Sequence, residues 1–490
     1  MKRFPRKAVG AVNLLMTVAV FGAEQASAEG VNAPSFVGRP NIVVILADDL
    51  GVNDCAADDH RTAVDTPNLL RLAESGVAFT AGYASASMCT PSRVGLLSGR
   101  SPARFGVYDV GGDSAYTWPK EQLIFPQYFK SAGYRTGIIG KWHCGGDLEE
   151  WKYNHPLERG FDRFWGFMGS THDYFDATPG SGVNGAGYWS CGYNPIYDQR
   201  VVVKEIPYLT DGITEQSVRF IRENKDKPFF LYIAQHCPHV PLQAPRDVYE
   251  KYLPLGYREN TTVTRAMDSI LDRGVGAVLD ELERLGLREN TLVIFSSDNG
   301  GSERSGQLNS ILRGGKFSVL EGGLRVPMLI SWPKHLPQGV VFCDPVWNLD
   351  FLPTALAAAN IKPEGELDGV NLLPYLTKEK TSAPHEALFW RQPENLEAYA
   401  VRSGDWKLVY SQLGRGLFNL KDDVSETADL REQYPEVTAQ LQQLYDRWDI
   451  GNQSSLWNGE YQKKYYNRHT SDNPLENKSY KYNKTFGEAR

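Results

Sequence analysis

The chain is punctuated by apolar runs of strand length that stop abruptly at charged or polar residues. Residues 41–47 end at Asp48 and Asp49, and 135–140 end at Lys141, Trp142 and His143. Residues 229–235 end at His236, Cys237, Pro238 and His239, and 291–297 end at Asp298 and Asn299. Between these runs the period becomes helical: over 66–75, with Asp65 or Thr66 as cap and Gly76 as stop, and near 263–286, marked by Met267, Ile270, Leu271, Val278, Leu282 and Leu285. Strands alternating with helices predict an α/β fold, a doubly wound and largely parallel sheet covered on both faces. In such sheets ligands bind beyond the carboxyl ends of the strands. The polar groups that end the four runs are therefore expected in one crevice, although they span residues 48 to 299.

After Asp344 the pattern changes. Residues 398–403 and 406–411 flank Gly404-Asp405, a hairpin signal, and 436–449 read as an amphipathic helix. This predicts a catalytic domain over 29–369, a smaller α+β subdomain of antiparallel strands plus a helix over 370–455, and a polar Tyr/Lys-rich surface tail over 456–490. At the other end, Lys2, Arg3, Arg6 and Lys7 precede an apolar stretch and then Ala26-Ser27-Ala28, the pattern of a secretory signal over 1–28. The mature protein is expected to be exported, periplasmic or secreted. No other stretch approaches the roughly 20 apolar residues that span a bilayer, so no membrane span is expected.

Charge narrows the partners. Lys plus Arg number 52 against 59 Asp plus Glu, a net of −7, which argues against a nucleic-acid binder. Any anionic substrate must be drawn by a local basic pocket. Asp48, Asp49, Asp298 and Asn299 are hard oxygen donors with no nearby thiolate or imidazole pair to favour zinc. Such sets select Ca2+ or Mg2+, and Ca2+ tolerates irregular geometry better.

The densest chemical signal is the run Cys89-Thr90-Pro91-Ser92-Arg93-Val94-Gly95-Leu96-Leu97-Ser98-Gly99-Arg100. A thiol with Pro two residues on and Arg four on resembles the signature at which the sulfatase family oxidises cysteine to formylglycine. Asp48-Asp49-Leu50-Gly51, Gly140-Lys141-Trp142-His143, His236-Cys237-Pro238-His239, Ser297-Asp298-Asn299-Gly300, and Gly315-Lys316 before Glu321-Gly322-Gly323 follow in that family's order. The chain resembles a type I, formylglycine-dependent sulfatase of the alkaline phosphatase superfamily.

The resemblance implies that Cys89 becomes formylglycine through a formylglycine-generating or sulfatase-maturing enzyme. It implies that Asp48, Asp49, residue 89, Asp298 and Asn299 bind one cation, and that Arg93, Lys141, His143, His239 and Lys316 complete a sulfate pocket, with His236 as the alternative to His239. The chemistry agrees. Cations and a metal stabilise charge developing as sulfur is attacked. An aldehyde hydrate carries two hydroxyls on one carbon, and two proton transfers need two acid–base groups. His143 is assigned as base, and His239 with Lys316 as proton donor to the leaving oxygen.

Export together with sulfate-ester cleavage points to a sulfated carbohydrate. His172, Asp173, Arg304 and Arg313, with His236, are candidate substrate contacts, and the aromatic loop over 171–200 is either a sugar platform or a packed structural loop. The rivals are a phosphomonoester or phosphonate monoester hydrolase on the same scaffold, and a non-catalytic binder of sulfated glycans.

Overall fold

Strands as apolar as 41–47 and 229–235 cannot leave either face in water, and they form the centre of a ten-stranded sheet. The computed structural model describes residues 38–55, 66–110, 117–146, 149–177, 194–302, 305–307, 309 and 311–456, without the side chains of 149–151. The expected signal over 1–28, nearly all of the tail, Arg304 and the middle of the 171–200 loop lie outside the described residues.

Five parallel strands lie side by side in the order Thr291–Ser297, Asn41–Ala47, Phe229–Ala234, Arg135–Lys141 and Arg163–Phe167. Val43 stands level with Leu231 and Val293, and Ile45 with Ile233 and Phe295. These odd-numbered side chains bury one face against Leu69 and Leu72 of the helix Pro67–Glu74, Ile213 of Leu209–Glu223 and Val263 of Glu259–Arg284. On the opposite face Phe230 stacks on Phe125 of the helix Phe125–Ser131, with ring centroids 4.6 Å apart. Both faces are thus covered, as a parallel sheet requires. Among the described residues the antiparallel pairings of this sheet lie outside that core: Met328–Ser331 with Thr291–Ser297 and with Val77–Phe79, and the short pair Tyr197–Asp198 and Val201–Val202 beyond Arg163–Phe167.

One glycine is dictated by the close approach of two strands. Gly140 sits at φ +115°, and a Cβ there would lie 2.0 Å from the Ala234 carbonyl oxygen. The backbone can therefore deliver Lys141 to the strand end only with glycine before it.

The C-terminal residues form a separate antiparallel sheet, Leu388–Arg391, Tyr399–Ser403, Trp406–Tyr410 and Arg415–Asn419. Alternation splits its faces. Ala400, Val409 and Phe418 pack with Tyr83, Leu320 and Trp347 of the main body, while Val401, Leu408 and Leu417 meet Leu441 and Tyr445 of the helix Pro435–Asp449. The expected hairpin turns at Gly404, φ +55°, with Ser403 paired to Trp406. Among the described residues no helix is long and apolar enough to cross a membrane.

Candidate active site

The strand ends are stitched together before any side chain acts. Asp48 N–H donates to the Cys237 carbonyl at 3.2 Å and Asp298 N–H to the Ala47 carbonyl at 3.1 Å. Asp49 adopts a left-handed φ of +67°, and its N–H donates to Asp298 Oδ1 at 3.2 Å. Onto this floor points the buried helix Cys89–Ser98. Cys89 Sγ lies 3.4 Å from Asp48 Oδ1 and 4.0 Å from Asp49 Oδ1. Arg93, four residues on and so on the same helix face, sets Nε 2.9 Å and Nη2 2.8 Å from Asp298 Oδ2. Lys141 Nζ is 2.7 Å from Asp48 Oδ2, and Lys316 Nζ is 2.7 Å from Asp49 Oδ1. His143, at φ +52°, donates its N–H to the Met168 carbonyl at 2.9 Å, and its own carbonyl accepts from Thr90 Oγ1 at 3.1 Å, which ties it to the neighbour of Cys89.

Three buried carboxylates therefore meet three buried cations. Burial works against the charge on Asp48, yet Lys141 and then His239, His236 and Arg93 hold its carboxyl well below the usual range. Burial raises Asp49 despite Lys316, and burial together with Asp48 pushes Asp298 up to about 7. Burial, and after it Asp298, pushes the Cys89 thiol far up. With no cation bound, an unmodified Cys89 thus stays a neutral thiol, a poor nucleophile in ordinary buffers. Burial, reinforced by Lys141, drives His143 well below the ordinary histidine value, and burial with Lys316 does the same to His239 against the pull of Asp48, so both are neutral at pH 7. Lys316 keeps its proton, because Asp49, Cys89 and Asp48 together outweigh the burial that opposes its charge.

The buried cluster fits a metal site. Ligand atoms of Asp48, Asp49, Cys89 and His239 all lie within 4.8 Å of one another. Asn299 Nδ2 donates to Asp49 Oδ1 at 2.8 Å, while Asn299 Oδ1 is buried without a hydrogen-bond partner. An orphaned amide oxygen beside three carboxylates is what an oxygen-seeking cation satisfies.

The two histidines of the 236–239 turn separate cleanly. His236 has no exposed surface, and its ring stacks on Tyr174 at 5.0 Å. The His172 backbone N–H, which can only donate, approaches His236 Nε2 at 3.2 Å. Nε2 is therefore the acceptor, and the proton sits on Nδ1, donated to Asp48 Oδ2 at 3.2 Å. Burial lowers His236 to about 4, in keeping with a neutral ring. His239, 8% exposed, sets Nε2 3.7 Å from Asp49 Oδ2. Of this pair, His239 keeps some exposure beside Asp49 and His236 backs Asp48.

The candidate substrate contacts are less uniform. Arg313 donates to the carbonyls of Glu426 at 2.9 Å and Leu413 at 2.6 Å, and so ties its loop to the C-terminal subdomain. His172 Nδ1 donates to the Asp173 carbonyl at 2.8 Å, and the Asp173 carboxylate accepts from Phe175 N, Asp176 N and Gln243 Nε2. Both shape the loop they stand on. Supporting residues emerge that the sequence did not single out. Ser297 Oγ accepts the Leu50 N–H at 2.9 Å, and Thr171 Oγ1 lies 3.3 Å from His236 Nε2. Tyr174, on the loop read as either a sugar platform or a packed structural loop, is packed: its hydroxyl proton is shared between the His236 and His239 carbonyls at 2.8 and 2.9 Å. Position within the Ser297-Asp298-Asn299-Gly300 run was the one available signal for Ser297. Thr171 follows the strand Arg163–Phe167, which the apolar pattern did not reveal.

Comparison with known proteins shows the family of the chain. The family model described as Sulfatase matches residues 40–361, and that described as N-sulphoglucosamine sulphohydrolase, C-terminal, matches 315–449. Arylsulfatase A of Homo sapiens is 35% identical over 402 residues, covering 76% of this chain and 75% of its own length. The uncharacterized sulfatase YdeN of Escherichia coli (strain K12) is 29% identical over 495 residues, covering 83% and 84%. The crystal structure of Ps i-CgsB in complex with k-i-k-neocarrahexaose matches with a TM-score of 0.79 and 33% identity, covering 88% of this chain and 97% of that one.

Proposed function

The chain belongs to the sulfatase family and is a sulfuric ester hydrolase of the alkaline phosphatase superfamily; from that premise we propose that it desulfates a sulfated carbohydrate, using a formylglycine made from Cys89. The observation that carries the reading is the setting of Cys89. Its Sγ lies 3.4 Å from Asp48 Oδ1 at the head of a buried helix, in surroundings that keep a thiol protonated and inert. A cysteine so placed is useful as a precursor.

Asp48, Asp49, Asp298 and Asn299 would hold one divalent cation, preferably Ca2+, which would supply Lewis-acid charge to the sulfate oxygens. Formylglycine would supply, as its hydrate, a hydroxyl to attack sulfur and a second on the same carbon through which sulfate is released. The chain's own residues do the remaining work. Lys141 and His236 both engage Asp48 Oδ2, which leaves Oδ1 directed at residue 89. Arg93 holds Asp298 and brings positive charge to the sulfate pocket. His143, neutral at pH 7 and fastened through Thr90 beside residue 89, takes a proton as base. Lys316 carries a proton beside Asp49 and donates it to the leaving oxygen; neutral His239, whose Nδ1–H goes to the Val240 carbonyl at 2.7 Å, keeps Nε2 as an acceptor beside Asp49.

The substrate class rests on the Ps i-CgsB structure, which is 33% identical over most of the chain and holds k-i-k-neocarrahexaose. That hexaose is the first oligosaccharide to test. Maturation would depend on a formylglycine-generating or sulfatase-maturing enzyme, and the 1–28 pattern supports export to the periplasm or medium. The test is sulfate release, measured by ion chromatography, from the hexaose and a panel of sulfated oligosaccharides by enzyme from its native host, beside Cys89→Ala. Release that the variant abolishes supports the reading. Hydrolysis of phenyl phosphonates with no sulfate release from any sulfated sugar would overturn it, and binding without release would favour a glycan binder.

A further inference from the structure

One side chain of the C-terminal subdomain bridges the segments that carry residue 89 and Lys316. Gln392, just past the strand Leu388–Arg391, is only 3% exposed. Its backbone is fixed by Gln392 N–H donating to the Ala398 carbonyl at 2.9 Å. Its Nε2 lies 2.6 Å from the Phe317 carbonyl oxygen and 3.3 Å from Ser87 Oγ. A carbonyl only accepts, so the amide presents its NH2 to both. Phe317 N–H in turn donates to the Ser87 carbonyl at 2.9 Å. Three segments meet here: residue 87, two before Cys89; residue 317, one after Lys316; and the end of a subdomain strand.

The conformation at the junction is unusual. Phe317 sits at φ +77°, a left-handed geometry that a bulky residue adopts only when its surroundings impose it. Lys316 N–H donates to the Gly301 carbonyl at 3.1 Å, its Nζ lies 2.7 Å from Asp49 Oδ1, and that Nζ is 5.6 Å from the Phe317 ring centroid. The turn at Phe317 therefore decides where the Lys316 ammonium points. Docking of the subdomain does not need Gln392. The apolar face formed by Ala400, Val409 and Phe418, and a bond from Trp390 Nε1 to the Ala84 carbonyl at 2.8 Å, already hold it.

We propose that Gln392 is a positioning residue: from the C-terminal subdomain it fixes the Phe317 carbonyl and the Ser87 hydroxyl, and so keeps the Lys316 ammonium in register with residue 89 and Asp49. The inference rests on the role assigned to Lys316 above. It makes the subdomain part of the catalytic apparatus.

The test is a cycle in the full-length matured enzyme, with 4-nitrophenyl sulfate and k-i-k-neocarrahexaose as probes. Gln392→Met keeps the length and removes the donor; Gln392→Asn, an amide one methylene short, replaces it if the Met variant does not fold. Misplacing one group by a fraction of an ångström lowers kcat by roughly 10- to 100-fold, with KM within about twofold of the parent. In a Lys316→Ala background the same change has no further effect on kcat, because the two act as a unit. Trp390→Phe lowers the unfolding midpoint and leaves kcat intact. An unchanged kcat in Gln392→Met beside an impaired Lys316→Ala overturns the proposal. So does an equal loss with and without Lys316, or an equal loss in Trp390→Phe, each of which marks general loosening. Full activity in Lys316→Ala would instead remove the role given to Lys316.

Discussion

Replacing His236 by Phe keeps an aromatic ring between Tyr174 and Phe167 and deletes two hydrogen bonds: Nδ1–H to Asp48 Oδ2 at 3.2 Å, and the acceptor for the His172 N–H at 3.2 Å. The first is to a charged, wholly buried carboxylate, and such bonds contribute about 1.5–3 kcal/mol; the second leaves a buried N–H unsatisfied and costs about 1 kcal/mol more. The variant should therefore be less stable by about 2.5–4 kcal/mol in urea unfolding. Asp48 Oδ2 loses one of its two donors, since Lys141 at 2.7 Å remains. Loss of such an orienting partner weakens metal binding by about 10- to 100-fold. Calorimetric titration with Ca2+ should register that change, while KM at saturating Ca2+ stays within about twofold of the parent. An unaltered Ca2+ affinity with a large rise in KM would refute this reasoning and would make His236 a substrate contact.

The remaining expectations concern groups outside the sulfate pocket. Burial lowers His155 from 6.5 to about 4, and its Nδ1 accepts the Leu157 N–H at 3.2 Å. The unfolded chain thus takes up that proton first, so the contribution of His155 to stability is complete above pH 6.5 and is lost as pH falls toward 4. A plot of the urea midpoint against pH should be flatter over that window in His155→Phe than in the parent, and identical slopes would contradict the assignment. Arg313→Ala removes the bonds to the Leu413 and Glu426 carbonyls; unfolding should cost about 1–3 kcal/mol less, by typical values for two such bonds, with KM unchanged. A KM raised tenfold with stability intact would return Arg313 to the substrate.

The sequence carried the architecture wherever residues obeyed one period. The runs at 41–47 and 291–297 are strands with those same ends, and the helical period near 263–286 belongs to Glu259–Arg284. The fifth parallel strand, Arg163–Phe167, escaped because its five residues mix arginine, aromatics and a glycine at φ +150°, and show no run to count. The reactive groups at the strand ends were legible because each follows an apolar run directly. Their division of labour was not: His236 and His239 are three residues apart, and only the His172 N–H and the Tyr174 ring show which one lies behind Asp48. Gln392 carried no signal, since a glutamine after a short strand reads as surface until Phe317 and Ser87 are seen against it.

The most direct test of the central claim is the mass of the tryptic peptide spanning residues 72–93 in protein from its native host. The account predicts a peptide lighter than the thiol form by the exchange of CH2SH for CHO at position 89, reactive toward hydrazide reagents. A peptide carrying only the intact thiol, from enzyme that nonetheless releases sulfate, would contradict it.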